Sequence, residues 1–368
     1  MLHVFNPEHD IALAANLSNF TAPHAGRQLR HDLGFLPALW AETGDAIAVD
    51  DPVHAGQAFR RLMQSVNRHL GVNIDHRFNW VAMHSSAIWQ KVGEIDVWGW
   101  DGALRSRLMR CGADKGLLPS DAELNAIRQL SHRRVAARLL PLLRREGTVG
   151  EAFECTTIDE VFELLQRFDQ IVLKAPWSSS GRGIRFLSSQ TLQDSGALSG
   201  DESCTMHMAG WLRNLLQRQG SVMVEPYYKK VKDFGMEFVS DGCGNVAFLG
   251  LSLFHTANGA YTGNIIATEA AKRDMMSHYL PLSLLDDVKD LACRELGMAF
   301  SGRYRGPFGI DMMVVRQQQF LLHPCVEINL RRTMGHAALA LAPADDDVCR
   351  AMRIEYVNGC YKLKICRI

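Results

Sequence analysis

The chain of 368 residues carries no net charge, because 40 Lys plus Arg balance 40 Asp plus Glu. That balance removes the argument for bulk binding to nucleic acid or an anionic membrane, although a local basic site remains open. No apolar run reaches the length of a membrane span. The nine cysteines include no C-x-x-C pair and are odd in number, so scattered thiols in a reducing cytosol fit better than a disulfide framework. The 14 histidines show neither H-x-x-x-H nor H-E-x-x-H spacing with matching cysteines, which argues against a zinc or redox enzyme. The strict P-loop pattern G-x-x-x-x-G-K-[ST] is missing, and so is a G-x-G-x-x-G between strand and helix. The first residues, "MLHVFNPEHD", put acids where a secretory signal needs its apolar core. These absences together predict a cytoplasmic, soluble protein acting on small molecules, with no nucleic-acid or membrane partner.

What remains is an ordinary globular composition, 47% hydrophobic and 22% charged, long enough for two or three domains. Short apolar runs alternate with amphipathic stretches over the first ~110 residues, which suits an α/β layer. The segment 118–147 reads as a helix that Pro141 ends or kinks, with Ser120 and Glu123 placed as a capping box. From 221 the pattern turns mostly to strand: "SVMVEPYY", a hairpin through Asp241–Gly244, a helix within 278–300, and a second hairpin turning at 316–319. The boundaries read this way are 1–114, 115–220 and 221–368.

The stretch "IVLKAPWSSSGRGIRFL" (171–187) ends an apolar strand in Lys174 and follows it with small residues. Backbone N–H groups converge on a phosphate where glycine and serine keep side chains out of the way, and Ser178, Ser179, Ser180, Gly181, Arg182 and Gly183 meet that need. A lysine ending a buried strand calls for an anionic partner. Taken alone, the stretch reads equally well as a solvated hairpin turn.

The independent signal lies about 150 residues on, in "GIDMMVVRQQQFLLHPCVEINLRR" (309–332). Alternate strand residues share a face, so Glu327, Asn329 and Arg331 point one way, and a turn at 316–319 puts Asp311 close to Glu327. Adjacent carboxylates repel unless a cation sits between them, and Mg²⁺ suits oxygen ligands shared with phosphates. An edge hairpin with a surface ion network is the weaker reading. A third piece, "SVMVEPYYKKVKDFG", ends a strand in Glu225 and Pro226. Tyr227 would then be the backbone donor to a base edge and Asp233 an acceptor from a ribose. By itself this piece reads better as a plain strand with a polar end.

The three pieces in this order resemble the ATP-grasp superfamily, most closely its carboxylate–amine ligases and the biotin carboxylase type. The resemblance spans roughly residues 115–336. It implies an ATP-grasp fold of the α/β (α+β) class, in which a Rossmann-like N-terminal domain precedes two α+β subdomains that clasp the nucleotide. It implies that Lys174 contacts the phosphates under the 178–183 loop, with Glu225, Pro226 and Tyr227 at the adenine and Asp233 near the ribose. It implies ATP as cofactor with one or two Mg²⁺, or Mn²⁺, on Asp311, Glu327 and Asn329. Arg331 would meet the transferring phosphate or the substrate carboxylate. Arg133 or Arg134 stands where the family usually has a further nucleotide-contacting lysine.

The reaction implied is a ligation: an acyl phosphate forms from ATP and a carboxylate, and an amine or other nucleophile displaces the phosphate. A phosphotransferase using the same site, or a nucleotide-binding regulator without turnover, are the alternatives. The substrates implied are a small carboxylate and an amine, and a homodimer is compatible with the family. Substrate contacts are read at His255, Asn258, Tyr261 and Asn264, and at Arg332 and His336. "FNPEHD" follows the first strand, where α/β sheets often bind ligands. It reads equally as a ligand contact or as a capped loop before a helix.

Overall fold

A computed structural model describes residues 1–72, 77–85, 88–178, 183–190, 202–257 and 260–367. Three sheets organise it. The first is parallel: β1 (Leu2–Val4), β2 (Ala46–Val49), β3 (Asn79–Ala82) and β4 (Ile95–Val97), in the order β3-β2-β1-β4. Helices follow its strands, and two of them start on side-chain caps. Asp51 accepts from the N–H groups of Val53 and His54 ahead of helix Pro52–Leu70, and Asp101 accepts from Leu104 N ahead of Gly102–Arg110.

The second sheet is antiparallel and holds β5 (Phe153–Cys155), β6 (Gln170–Lys174), β7 (Ile184–Ser188) and β8 (Val222–Pro226), in the order β5-β8-β6-β7. Ile171, Leu173, Leu187 and Val224 turn one face into a core with helix Ile158–Phe168, whose start is a Thr157–Glu160 capping box. The alternate residues, Val172, Lys174, Phe186 and Glu225, face the other way. Because β8 pairs with β6, the strand ending in Glu225-Pro226 belongs to this sheet. The change of sheet comes after Pro226, whereas the sequence reading begins the last segment at 221. Hairpin connections are visible in sequence, but the return of a later strand to β6 is not.

The third sheet has seven strands: β9 (Lys230–Ser240), β10 (Val246–Ala257), β11 (Ala260–Ile266), β12 (Gly306–Arg316), β13 (Phe320–Asn329), β14 (Arg350–Val357) and β15 (Cys360–Arg367), in the order β13-β12-β9-β10-β11-β14-β15. Phe234, Phe238 and Phe308 pack from it onto Phe300 of helix Leu282–Phe300, all fully buried. The C-terminal hairpin β14–β15 and helix Met334–Ala340 instead close a core with the elements around the first sheet, through Met352, Ile365, Ala337, Leu33 and Leu36.

The predicted helix over 118–147 is two helices. The capping box at Ser120 and Glu123 forms, but Asp121–Leu130 stops at Ser131 and Arg134–Leu139 restarts, ending before Pro141. At the break the Arg133 N–H donates to Pro176 O at 3.2 Å. This fixes Arg133 beside the loop that follows Lys174. Among the described residues no helix is long and apolar enough to cross a membrane.

Candidate active site

Two rungs of the large sheet define the site. Glu237, Gly309 and Asn329 face one another across β9, β12 and β13, and Gly235, Asp311 and Glu327 form the next rung. Positions two apart share a face, so three carboxylates and an amide stand together with glycines between them. The glycines make room. A Cβ at Gly309 would lie 2.6 Å from Glu237 Oε2 and 2.9 Å from Thr333 Cγ2, and one at Gly335 would collide with Glu237 Oε1.

Burial, then the neighbouring charges of Glu327 and Glu237, push Asp311 up to about 8, against the opposing pull of Asn329 and Arg331. Glu237 Oε2 is buried with no hydrogen-bond partner. It lies 3.0 Å from His336 Nδ1, a nitrogen that also faces the Thr333 N–H at 3.1 Å. A crowded carboxylate face with an orphaned oxygen is a donor set that fits a hard divalent cation.

Facing it, Lys174 Nζ donates to Glu225 Oε2 at 2.6 Å, and both side chains are buried. Buried His323, with neither ring nitrogen hydrogen-bonded, is held at about 3 by burial and by Lys174. The neck of the loop after Lys174 is tight. Ala175 N donates to Gly183 O at 2.8 Å, and a Cβ at Gly183 would lie 2.5 Å from Ser178 Cβ. Arg133 joins the two halves: Nη1 donates to Ala175 O (2.6 Å) and Ser178 Oγ (2.7 Å), and Nη2 to Glu327 Oε1 (2.7 Å).

Arg331 closes the third side. Its Nε and Nη2 donate to the two oxygens of Asp10 at 2.8 and 2.6 Å, and Nη2 also reaches Asn329 Oδ1 at 3.0 Å. Burial pushes Asp10 up, and the Arg331 guanidinium more than offsets it, leaving Asp10 below the usual carboxylate range. A narrow crevice between these parts is lined by His9, Asp10, Trp177, Ser178, Glu327 and Asn329 among others.

No protein-family model matches the sequence, and no curated protein matches it. Among solved structures, the chain is similar to the biotin carboxylase domain of 2-oxoglutarate carboxylase from Hydrogenobacter thermophilus. The identity is 11%, over 96% of this chain and 74% of that one, with a TM-score of 0.52. The chain has the ATP-grasp fold. Weaker similarities, with a TM-score of 0.46 each, join it to N5-carboxyaminoimidazole ribonucleotide synthetase of Thermus thermophilus and N5-carboxyaminoimidazole synthetase of Staphylococcus aureus. The first is 13% identical over 96% of this chain and 83% of that one, the second 12% over 96% and 82%. The carboxylase domain was solved with MgADP and bicarbonate, the Staphylococcus enzyme with ADP.

On this ATP-grasp frame the sequence-predicted residues fall into groups. Lys174 and Glu225 pair on the second sheet, Gly183 stands at the neck of the loop after Lys174, and Asp311 pairs with Glu327; Ser178, Glu327 and Asn329 line the crevice, and Arg133 and Arg331 bond to its lining. Arg134 does not; its Nη2 lies 3.5 Å from Glu154. Ser179, Ser180, Gly181, Arg182 and Asn258 lie outside the described residues.

Other residues depart from expectation. The Tyr227 N–H, expected as a free donor, is spent on Gln170 O at 2.9 Å, extending a β6–β8 pairing that is not visible in the sequence. Pro226 pairs with Ile171 on the core face. Asp233 shares the face of Glu237 but accepts from Lys230 (2.5 Å) and Thr256 (2.6 Å). Arg332 turns toward the first sheet, donating to both oxygens of Asp96 and lying over the Trp40 ring, away from the crevice lining. His336 is buried beneath Glu237 as a support rather than a surface contact. Tyr261 donates to Asn264 Oδ1 (2.5 Å), and Asn264 donates to Ser252 Oγ (2.8 Å). Burial and Glu237 raise the Tyr261 phenol. His255 is exposed on the rim near Lys232 and Arg353.

The sequence gives no expectation for Glu237 or Phe186, and leaves His9 and Asp10, in "FNPEHD", open between a ligand contact and a capped loop. Glu237 carries a local signal: it alternates with the core-facing Phe234, Met236 and Phe238, as Glu327 alternates with apolar residues in its own strand. Phe186, 65% exposed on the face of Lys174, stands 6.1 Å from the Tyr227 ring. An exposed aromatic there offers a stacking surface.

Proposed function

We propose that the chain is an ATP-dependent ligase that activates a small carboxylate as an acyl phosphate and joins it to an amine. The observation carrying this reading is the Glu237–Asp311–Glu327 face opposite Lys174 on an ATP-grasp frame. The carboxylates need a cation, and a strand-end lysine across the cleft suits the phosphates that such a cation accompanies. In this reading Asp311, Glu327 and Asn329 hold Mg²⁺ with Glu237 beside them, and Mg²⁺ supplies charge neutralisation on the phosphates. Lys174 and the neck residues Ser178 and Gly183 bind phosphate, while Glu225, Tyr227 and Phe186 border the base. Arg331, anchored by Asp10, meets the carboxylate or the transferring phosphoryl group with a fixed guanidinium. Arg133 leaves Glu327 when the cation binds.

The neighbour solved with MgADP and bicarbonate supports a nucleotide and a carboxylate-type acid in such a cleft. The division we propose is a substrate-side domain over 1–114 and two nucleotide-clasping parts beyond it. A pooled metabolite screen read by ADP and phosphate release tests the reading. Phosphate release that requires both an acid and an amine supports the ligase. ADP with a stable phosphorylated product supports a phosphotransferase instead. Mg²⁺-independent turnover, or nucleotide binding without turnover, overturns the reading.

A further inference from the structure

The segment Asn6-Pro7-Glu8-His9-Asp10 is built into the cleft. The Asn6 amide makes a paired contact with the backbone of one residue: Nδ2 donates to Gly99 O at 2.8 Å, and Oδ1 accepts from Gly99 N at 3.3 Å. Nδ2 also donates to Asp101 Oδ2 at 3.1 Å. Asp101 is itself fixed, since its Oδ1 caps helix Gly102–Arg110 through Leu104 N at 2.8 Å. The same Asp101 Oδ2 lies 3.4 Å from His9 Nδ1, and His9 and Asp101 are 1% and 2% exposed. The imidazole packs flat on a glycine: a Cβ at Gly99 would come within 2.7–2.8 Å of three ring atoms. Gly99 is not at positive φ, so the ring rather than the backbone calls for glycine there.

His9 also lines the crevice it shares with Asp10, Ser178, Glu327 and Asn329. A carboxylate that takes Nδ1–H of an imidazole fixes its tautomer and leaves Nε2 as the acceptor. Next door, Asp10 anchors Arg331 with two hydrogen bonds. One short segment therefore places an imidazole at the crevice and holds a guanidinium that bonds to two of its lining residues, Asp10 and Asn329.

We propose that His9, oriented by Asp101, is the catalytic residue that takes the proton from the incoming amine. This rests on the ligase reading above. The amine arrives as an ammonium ion and gives one proton to His9 Nε2. The freed lone pair attacks the acyl-phosphate carbonyl carbon and the C–N bond forms. The C–O bond to phosphorus's oxygen breaks, and its electron pair leaves on inorganic phosphate. The second nitrogen proton goes to the departing phosphate, and His9 returns its own proton to water.

The test uses the full chain, wild type and His9→Gln, with MgATP and a pool of small carboxylates. One arm adds primary amines that are ammonium ions at neutral pH. The other adds hydroxylamine, a free base near neutral pH that traps an acyl phosphate as a hydroxamate without a proton acceptor. Removing a general base costs about 100-fold where a proton must be taken, so H9Q should lose about that much in the amine arm. Its hydroxamate yield should fall several-fold at most. Equal losses in both arms, or no loss in the amine arm, overturn the role of His9. If the wild type forms neither hydroxamate nor ADP with any acid, the ligase reading fails and His9 with it. Asp101→Asn, which keeps a helix-capping side chain, should reproduce the selective loss; a variant indistinguishable from wild type contradicts the orienting role.

Discussion

Replacing Asp311 by Asn separates the cost of a crowded carboxylate from its use. In the folded chain this carboxyl titrates at about 8, against 3.8 when unperturbed. Between those values the unfolded chain has released a proton that the folded chain keeps. Stability contributed by this group therefore falls as pH rises through the window. A tenfold change in proton affinity corresponds to about 1.4 kcal/mol, so the formal cost by pH 8 is on the order of 5 kcal/mol. Water penetration and relaxation reduce this, and about 1–3 kcal/mol is the expected net effect.

The amide carries no charge and can still meet Asn329. The D311N protein, free of metal, should therefore unfold a few degrees above wild type at pH 8, and the two should converge near pH 4. Mg²⁺ or Mn²⁺ should raise the melting temperature of wild type, more so at high pH, and leave D311N unmoved. Thermal unfolding followed from pH 4 to 9, with and without the cation, measures this. Parallel pH profiles for the two proteins would refute the reasoning, as would an equal metal shift in both.

Other perturbations test separate parts. Lys174→Ala removes the proposed phosphate contact but also strands buried Glu225. It should lose about 3–5 kcal/mol of stability, read by chemical denaturation, and Glu225→Gln in the same chain should restore most of it. Nucleotide affinity should stay low in both, read by calorimetry. Gly309→Ala puts a methyl group 2.6 Å from Glu237 Oε2 and should weaken Mn²⁺ binding, read by its paramagnetic signal, along with about 1–3 kcal/mol of stability. Asp10→Asn should leave Arg331 less firmly held and raise the KM for the acid more than it lowers kcat. Arg332→Ala should act on stability rather than turnover, because its partners are Asp96 and the Trp40 face.

Local pattern reaches far into this fold and then stops at identifiable places. The 306–329 hairpin, its turn and the pairing of Asp311 with Glu327 follow from alternation and a short connection. The capping boxes at Ser120 and Thr157 follow from residue spacing. The partners of Glu237 are hidden because nothing local says that β9 pairs with β12 across 65 intervening residues, including helix Leu282–Phe300. Tyr227 departs from expectation for the same reason: its N–H is satisfied by Gln170, a strand partner set by tertiary pairing. Arg331 and Arg332 show the limit most clearly. They are neighbours of the same charge, and only the strand end, which sends one toward Asp10 and the other toward Asp96, separates their partners. The role of "FNPEHD" is open in the sequence because its partners, Gly99, Asp101 and Arg331, are drawn from two distant segments.

The central claim is that a carboxylate is activated through an acyl phosphate. Isotope transfer tests this most directly, using any acid and amine that the metabolite screen pairs. With oxygen-18 in both positions of the acid's carboxyl group, each turnover should move one labelled oxygen into inorganic phosphate, seen by mass spectrometry or by the phosphorus-31 shift. Unlabelled phosphate, formed at the full rate of product formation, would contradict the account.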